Sequence, residues 1–229
     1  MKLQSVFNIW RHNVTMPDTR YHRNLPHIHP EGYPLFITFR LADSLPLEVL
    51  QELKKQRESA LKLLKNQTSD EIYKIEKKHF GRYDEWLDRC VSGPRWLEDK
   101  TVADIVTEKI HSMNGKHFQL MTYCIMPNHV HLLIEPIIAD DLRHRGATSQ
   151  YPATDALRLL KGSTARICNL KLKRSGHFWN HESYDHFVRD EQELERIIKY
   201  ILYNPVKAEL VEAWEKWQFT YINPEFGSW

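Results

Sequence analysis

Apolar and polar positions alternate along this chain in two different periods, and the switches between them mark out its elements. Leu35-Phe36-Ile37-Thr38-Phe39-Arg40-Leu41, dense in aromatic and branched residues and preceded by Pro34, predicts a first strand. From Pro46 to about Leu63 the leucines at 47, 50, 53, 61 and 64 recur at helical spacing among Lys and Glu. A second helical stretch over 69–90 carries Trp86 and Leu87 on its buried side and is broken by Ser92-Gly93-Pro94. Residues 101–113 form a further helix, ended at Asn114-Gly115. Phe118 to Ile125 and His129 to Glu135 read as two strands joined by the tight connection Met126-Pro127-Asn128. After a polar loop over 139–153, residues 155–173 predict a basic helix with Gly162 as a weak point, and 184–188 a short strand. The last helix runs over 190–203, with Asp190 and Glu193 placed as a capping box.

The order strand, helix, strand, strand, helix, strand, helix implies an α+β protein. Its core is a ferredoxin-like βαββαβ antiparallel sheet with one added C-terminal helix. Residues from about 51 to 100 are then a helical insertion, and 1–33, rich in His, Pro and Asn without clear period, an irregular arm. A length of 229 residues suits a single domain over 1–229 that carries such an insertion.

Composition narrows the class. Hydrophobic residues make up 41% and charged residues 27%, and no apolar run approaches the roughly 20 residues of a membrane span. No apolar segment follows Met1 that would serve as a secretory signal, so a cytoplasmic protein without membrane partners is expected. Cys90, Cys124 and Cys168 are far apart and form no C-x-x-C pair, which points to reduced thiols. Net charge is only +2, but its distribution is uneven. Between Asp155 and Glu182 there is no acidic residue, while Arg158, Lys161, Arg166, Lys171, Lys173 and Arg174 all fall there and make a local basic face.

Candidate chemistry sits on the second strand of the hairpin. Alternate side chains of a strand share a face, so His129 and His131 project together while Val130 and Leu132 point into the core. Two imidazoles so placed can converge on one Mn²⁺ or other transition ion, and with an amide oxygen and waters on Mg²⁺. Two surface histidines would leave the same signature. A second pair, His27 and His29, lies between Pro26 and Pro30, which do not support a regular paired strand, so it reads as structural or incidental. On the last helix Leu194, Ile197, Ile198 and Ile201 form the packing stripe. At about 100° per residue, Tyr200 and Asn204 lie on one flank of it with Arg196, and Tyr203 falls on the solvent side.

His129-Val130-His131 directly after Met-Pro-Asn resembles the HUH motif of single-tyrosine transposases, and Tyr200-Ile201-Leu202-Tyr203-Asn204-Pro205-Val206-Lys207 resembles their nucleophile helix. Phe178-Trp179-Asn180, Tyr184-Asp185-His186 and Arg23-Asn24-Leu25-Pro26-His27 are similar to the REP-associated tyrosine transposases. In that subgroup Asn commonly stands where the wider family has Gln. The matches cover about residues 21–44 and 118–211, outside the helical insertion.

The resemblance implies Tyr200 as nucleophile, with His129, His131 and Asn204 holding a divalent ion, Mg²⁺ or Mn²⁺. Tyr184, near His186, then reads as packing or substrate support. It further implies nicking and strand transfer of single-stranded DNA with hairpins through a 5′-phosphotyrosine, by a monomer or a homodimer. Arg158, Lys161, Arg166, Lys171, Lys173, Arg174 and Arg196 would then hold phosphates, and Trp179, with Phe178, would stack on unpaired bases. Two other readings stay open: a metal-dependent hydrolytic nuclease, and a domesticated hairpin-binding protein without catalysis.

Overall fold

The computed structural model describes residues 20–22, 26–28, 32–64, 68–90, 92–137 and 152–226. Most of the N-terminal arm, including Arg23, Asn24, Leu25 and His29, and the polar loop at 138–151 lie outside the described residues.

The strands are β1 (Arg20–His22), β2 (Pro26–Ile28), β3 (Leu35–Leu41), β4 (Phe118–Ile125), β5 (His129–Pro136), β6 (Trp179–Phe187) and β7 (Thr220–Ile222). The helices are α1 (Leu47–Lys62), α2 (Ser69–Arg89), α3 (Lys100–Met113), α4 (Pro152–Lys171) and α5 (Glu191–Lys207). Five strands form one antiparallel sheet in the order β6-β3-β5-β4-β7. Its first four strands have the ferredoxin-like arrangement expected, with the first and third strands of the unit side by side at the centre. Helices α1 and α2 form a hairpin between β3 and α3, joined by the bidentate Arg57–Glu76 ion pair at 2.6–3.0 Å.

Strand alternation sorts the two faces. Leu35, Ile37, Phe39 and Leu41 of β3, with Val130, Leu132 and Ile134 of β5, pack under α3 and α4. Phe36, Met121, Cys124 and Leu133 pack on the other face, under Leu194, Ile198, Ile201 and Leu202 of α5. Every residue of β3 is buried, as befits a central strand covered on both faces.

Several boundaries differ from expectation for local reasons. Helix α5 continues to Lys207 through Pro205. A proline so near the end removes one backbone bond without halting the last turn. Strand β6 begins at Trp179, five residues before the predicted start, because an edge strand needs little hydrophobic alternation. Strand β7, with three residues, is too short for any period to show. Pro26 and His27 do pair, with His22 and Tyr21, since a proline at a strand end forfeits no ladder bond. The Ser92-Gly93-Pro94 break is required sterically: Gly93 has φ +78°, and a side chain there would meet the Asp43 carbonyl at 2.2 Å.

Candidate metal centre and tyrosine

The register of the central strands builds the site. Thr38 of β3 and Cys124 of β4 both lie opposite His131, and Arg40 lies opposite His129. The Thr38 hydroxyl is 2.8 Å from His131 Nδ1, and Asn128 Oδ1 is 2.6 Å from His129 Nδ1. With its Nδ1–H donated to Asn128, His129 presents a bare Nε2, and the same tautomer of His131 presents its own. The two Nε2 atoms stand 3.0 Å apart, both rings fully buried. Adjacent octahedral ligands at about 2.1 Å from one ion are about 3.0 Å apart. Burial, then the positive charge of Lys207, holds His129 down to about 3. His131 is also held well below its ordinary value by burial and by His129, so both imidazoles are neutral at physiological pH.

Two acidic groups that the sequence reading missed complete the cluster. Asp84 and Asp88, one turn apart on α2, bring carboxylate oxygens to 3.4 Å from His131 Nε2 and 3.8 Å from His129 Nε2. The four residues offer ligand atoms within 4.8 Å of one another. Burial and the neighbouring Asp88 push the Asp84 carboxyl well above the usual range, against the pull of Lys207. Asp88 is raised by burial and steadied by Lys207, whose Nζ lies 2.7 Å from its Oδ2.

Neither oxygen of Asp84, nor Asp88 Oδ1, nor the amide oxygen of Asn204 completes a hydrogen bond among the described residues, although all are buried. Such a group of unused lone pairs is costly in a protein interior unless a cation is supplied. Two neutral imidazoles, two carboxylates and an amide suit a divalent metal ion. The sequence holds one trace of the acidic pair: Phe80, Asp84, Leu87 and Asp88 fall at i, i+4, i+7 and i+8, which places carboxylates on an apolar stripe without showing what that stripe docks against.

Tyr200 stands at this cluster. Its ring centroid is 5.3 Å from that of His131 and 5.9 Å from that of Phe36. Tyr203 points outward with 47% of its surface exposed. Beside Tyr200, a cavity of about 310 Å³ opens between α2, α5 and the sheet, lined also by Asp84, Arg196 and Lys207. Tyr184 stacks on Phe80 at 3.8 Å between centroids, and its hydroxyl is driven up by burial, as befits a packing residue.

The remaining candidates do not gather here. Helix α4 packs with α3 across the sheet from the histidines, so its cations are on the opposite face from the cluster. Arg166, Lys171 and Lys173 are exposed there. Arg158 is 3.5 Å from Asp155, and Lys161 donates to the His181 carbonyl. Arg174 instead packs its guanidinium 3.8 Å over the Trp96 ring and donates to Asn169 and to the His177 carbonyl, which fastens the α4–β6 connection. Trp179 is 6% exposed, sits edge-on to Phe39 and donates its Nε1–H to Thr164. It and Phe178, 1% exposed just before β6, belong to the core rather than to a stacking surface, because the strand begins earlier than expected, at Trp179.

The antiparallel α+β sheet thus carries a His-x-His strand at its centre, with a helix-borne tyrosine beside it. The family model for IS200-like transposases matches residues 95–204. A Haemophilus influenzae protein named as a REP-associated tyrosine transposase is 30% identical over 132 residues, which span 54% of this chain and 74% of that protein. The chain belongs to the REP-associated tyrosine transposases, within the IS200-like transposase family. Among solved structures, a REP-associated tyrosine transposase bound to a REP hairpin aligns at 15% identity and a TM-score of 0.45, over 87% of this chain and 80% of that one. A transposase of Deinococcus radiodurans aligns at 19% identity and a TM-score of 0.27, over 73% of this chain and 87% of that one.

Proposed function

We propose that this protein nicks and rejoins single-stranded DNA at hairpin or palindromic sequences through a covalent 5′-phosphotyrosine on Tyr200. The observation that carries this reading is the approach of Tyr200, at 5.3 Å between ring centroids, to His131, whose Nε2 lies 3.0 Å from that of His129. His129 and His131, with Asn204 as third ligand, would hold Mg²⁺ or Mn²⁺. A divalent ion there would polarise the oxygens of the scissile phosphate and stabilise the departing 3′ oxygen. Tyr200 attacks phosphorus in line, its phenolic proton is lost, and the bond from phosphorus to the 3′ oxygen breaks with protonation of that oxygen. The energy of the cut bond stays in the phosphotyrosine, so a 3′ hydroxyl from another end can reverse the attack and join strands without ATP.

Arg196 and Lys207, in the cavity beside Tyr200, supply positive charge where the strand must enter. The cations of α4 would engage backbone that passes round the sheet edge at β6, beyond the reach of the metal ligands. The Tyr184 hydroxyl is driven up by burial and its ring is stacked on Phe80, which suits packing rather than attack.

Incubation with Mn²⁺ and a 3′-labelled single-stranded hairpin oligonucleotide tests the reading. Label should migrate with the protein on a denaturing gel, and Tyr200→Phe should abolish that band. Cleavage that persists in Tyr200→Phe without an adduct would mean that water attacks, and the protein would be a hydrolytic nuclease. Tight hairpin binding with neither nicking nor joining would mean a recognition protein.

A further inference from the structure

We propose that the inserted helix α2 supplies two of the metal ligands, Asp84 and Asp88, so that the ion is gripped from both sides of the cleft, by the sheet and by the insertion. This rests on the reading of His129 and His131 as ligands, and extends it to a segment that lies outside the residues matched to the family model.

Three independent observations point to it. First, Asp84 and Asp88 sit one helical turn apart and face the two histidines pairwise, at 3.4 Å and 3.8 Å. Neither carboxylate oxygen completes a hydrogen bond at these separations, which suit groups that share a cation. Second, both oxygens of Asp84, which is 1% exposed, lack hydrogen-bond partners among the described residues, and Asp88 keeps Oδ1 unpaired while Oδ2 takes Lys207. A structural acid in such a place would have acquired donors. Third, Asn204, contributed by a different helix, is also 1% exposed, lies beside Asp88 and leaves its amide oxygen without a partner among the described residues.

Helix α2 is also held at this depth by contacts that do not involve the carboxylates. The Arg40 Nε–H donates to the Tyr83 hydroxyl at 2.6 Å, and Asn128 Nδ2 donates to the Leu87 carbonyl at 3.1 Å. The latter bond joins the insertion to the same side chain that orients His129. The position of the two acids is therefore built in, and is not a by-product of their attraction to the histidines.

The chemical consequence is a change of donor set. Two imidazoles and one amide leave half of an octahedral shell to water, whereas two added carboxylates neutralise the dication and leave room for about one further oxygen. Such a mixed nitrogen and oxygen set with two negative charges favours Mn²⁺ over Mg²⁺, which gives up its waters reluctantly. The ion should then be bound before DNA arrives.

The test is a Mn²⁺ titration of the full chain without DNA, followed by the loss of the free-ion EPR signal. Asp84→Asn and Asp88→Asn should each weaken Mn²⁺ binding at least tenfold, and the double variant further. Glu85→Gln, which removes an exposed acid of the same helix, should leave affinity within twofold of the parent protein. Melting curves of the metal-free proteins show whether each variant folds. Asp84→Asn, relieved of a buried carboxylate, should melt no lower than the parent but gain less stability from Mn²⁺. If both Asn variants bind Mn²⁺ as the parent does while His131→Ala does not, the insertion holds no ligand, and the reading of the histidines stands. If the parent itself fails to bind Mn²⁺, both fall.

Discussion

Thr38 controls how His131 presents itself. Its hydroxyl is the partner of His131 Nδ1 at 2.8 Å, in the interior of the sheet where no water replaces it. Where the hydroxyl accepts from Nδ1–H it leaves Nε2 bare toward the cluster, and its loss would leave that N–H buried without an acceptor. Thr38→Val keeps the shape of the side chain and should weaken Mn²⁺ binding about tenfold, measured by titration calorimetry, with little change in fold. The histidine pair itself was legible in the sequence from strand alternation, but Thr38 was not. Nothing in a run of seven strand residues distinguishes a threonine that packs from one that orients a histidine 93 positions away.

Among the elements, α2 and α5 act as a pair. Glu193 of α5 is the hub: it accepts from the Tyr73 hydroxyl at 2.5 Å and from the Arg189 backbone N–H at 3.0 Å, and stands 3.2 Å from His186 Nε2. The capping box expected there is half realised. Asp190 accepts from the Glu193 N–H, but Glu193 turns away to Tyr73 of α2. Burial alone would raise the Glu193 carboxyl, yet its ties to His186, Tyr73 and Arg189 overcome it and hold the group at about 2. A carboxyl depressed below its unfolded value stabilises the fold above that value, about 4.3, and the contribution is lost as pH falls toward about 2. Its size is on the order of 2–3 kcal/mol. Urea unfolding at stepped pH should show stability falling between about pH 4.5 and 2 by more in the parent protein than in Glu193→Gln. Parallel curves would show that the clasp between α2 and α5 contributes nothing.

Over the whole molecule the sheet divides two kinds of chemistry. The metal-type cluster and Tyr200 occupy the α5 face, and the basic helix α4 the other. The sequence could not show this. Periodicity says which side of α4 is polar, but which face of the sheet the helix crosses is decided by connections. The same limit hid Asp84 and Asp88. Their helix was legible, and so was its apolar stripe, but the docking of an insertion against the sheet depends on Arg40, Tyr83 and Asn128, which are remote in sequence. Conversely Phe118–Ile125, His129–Pro136 and the tyrosine helix were legible because each has a strong period and a clear stop. Replacement of Arg158, Arg166 and Lys171 by Ala should lower hairpin affinity and flatten its salt dependence by roughly one unit of slope per lost phosphate contact, read from binding at stepped salt. Mn²⁺ binding should be untouched.

If Tyr200 is the nucleophile, the covalent adduct lies on its phenolic oxygen, and locating that adduct is the most direct measurement. Cleavage after Lys199 and Lys207 releases the peptide 200–207, which contains both Tyr200 and Tyr203. After reaction with a hairpin oligonucleotide and nuclease trimming, fragmentation mass spectrometry of that peptide should place the nucleotide on Tyr200. A nucleotide on Tyr203 or on Tyr184, or an unmodified peptide from protein that has cut its DNA, would contradict the account.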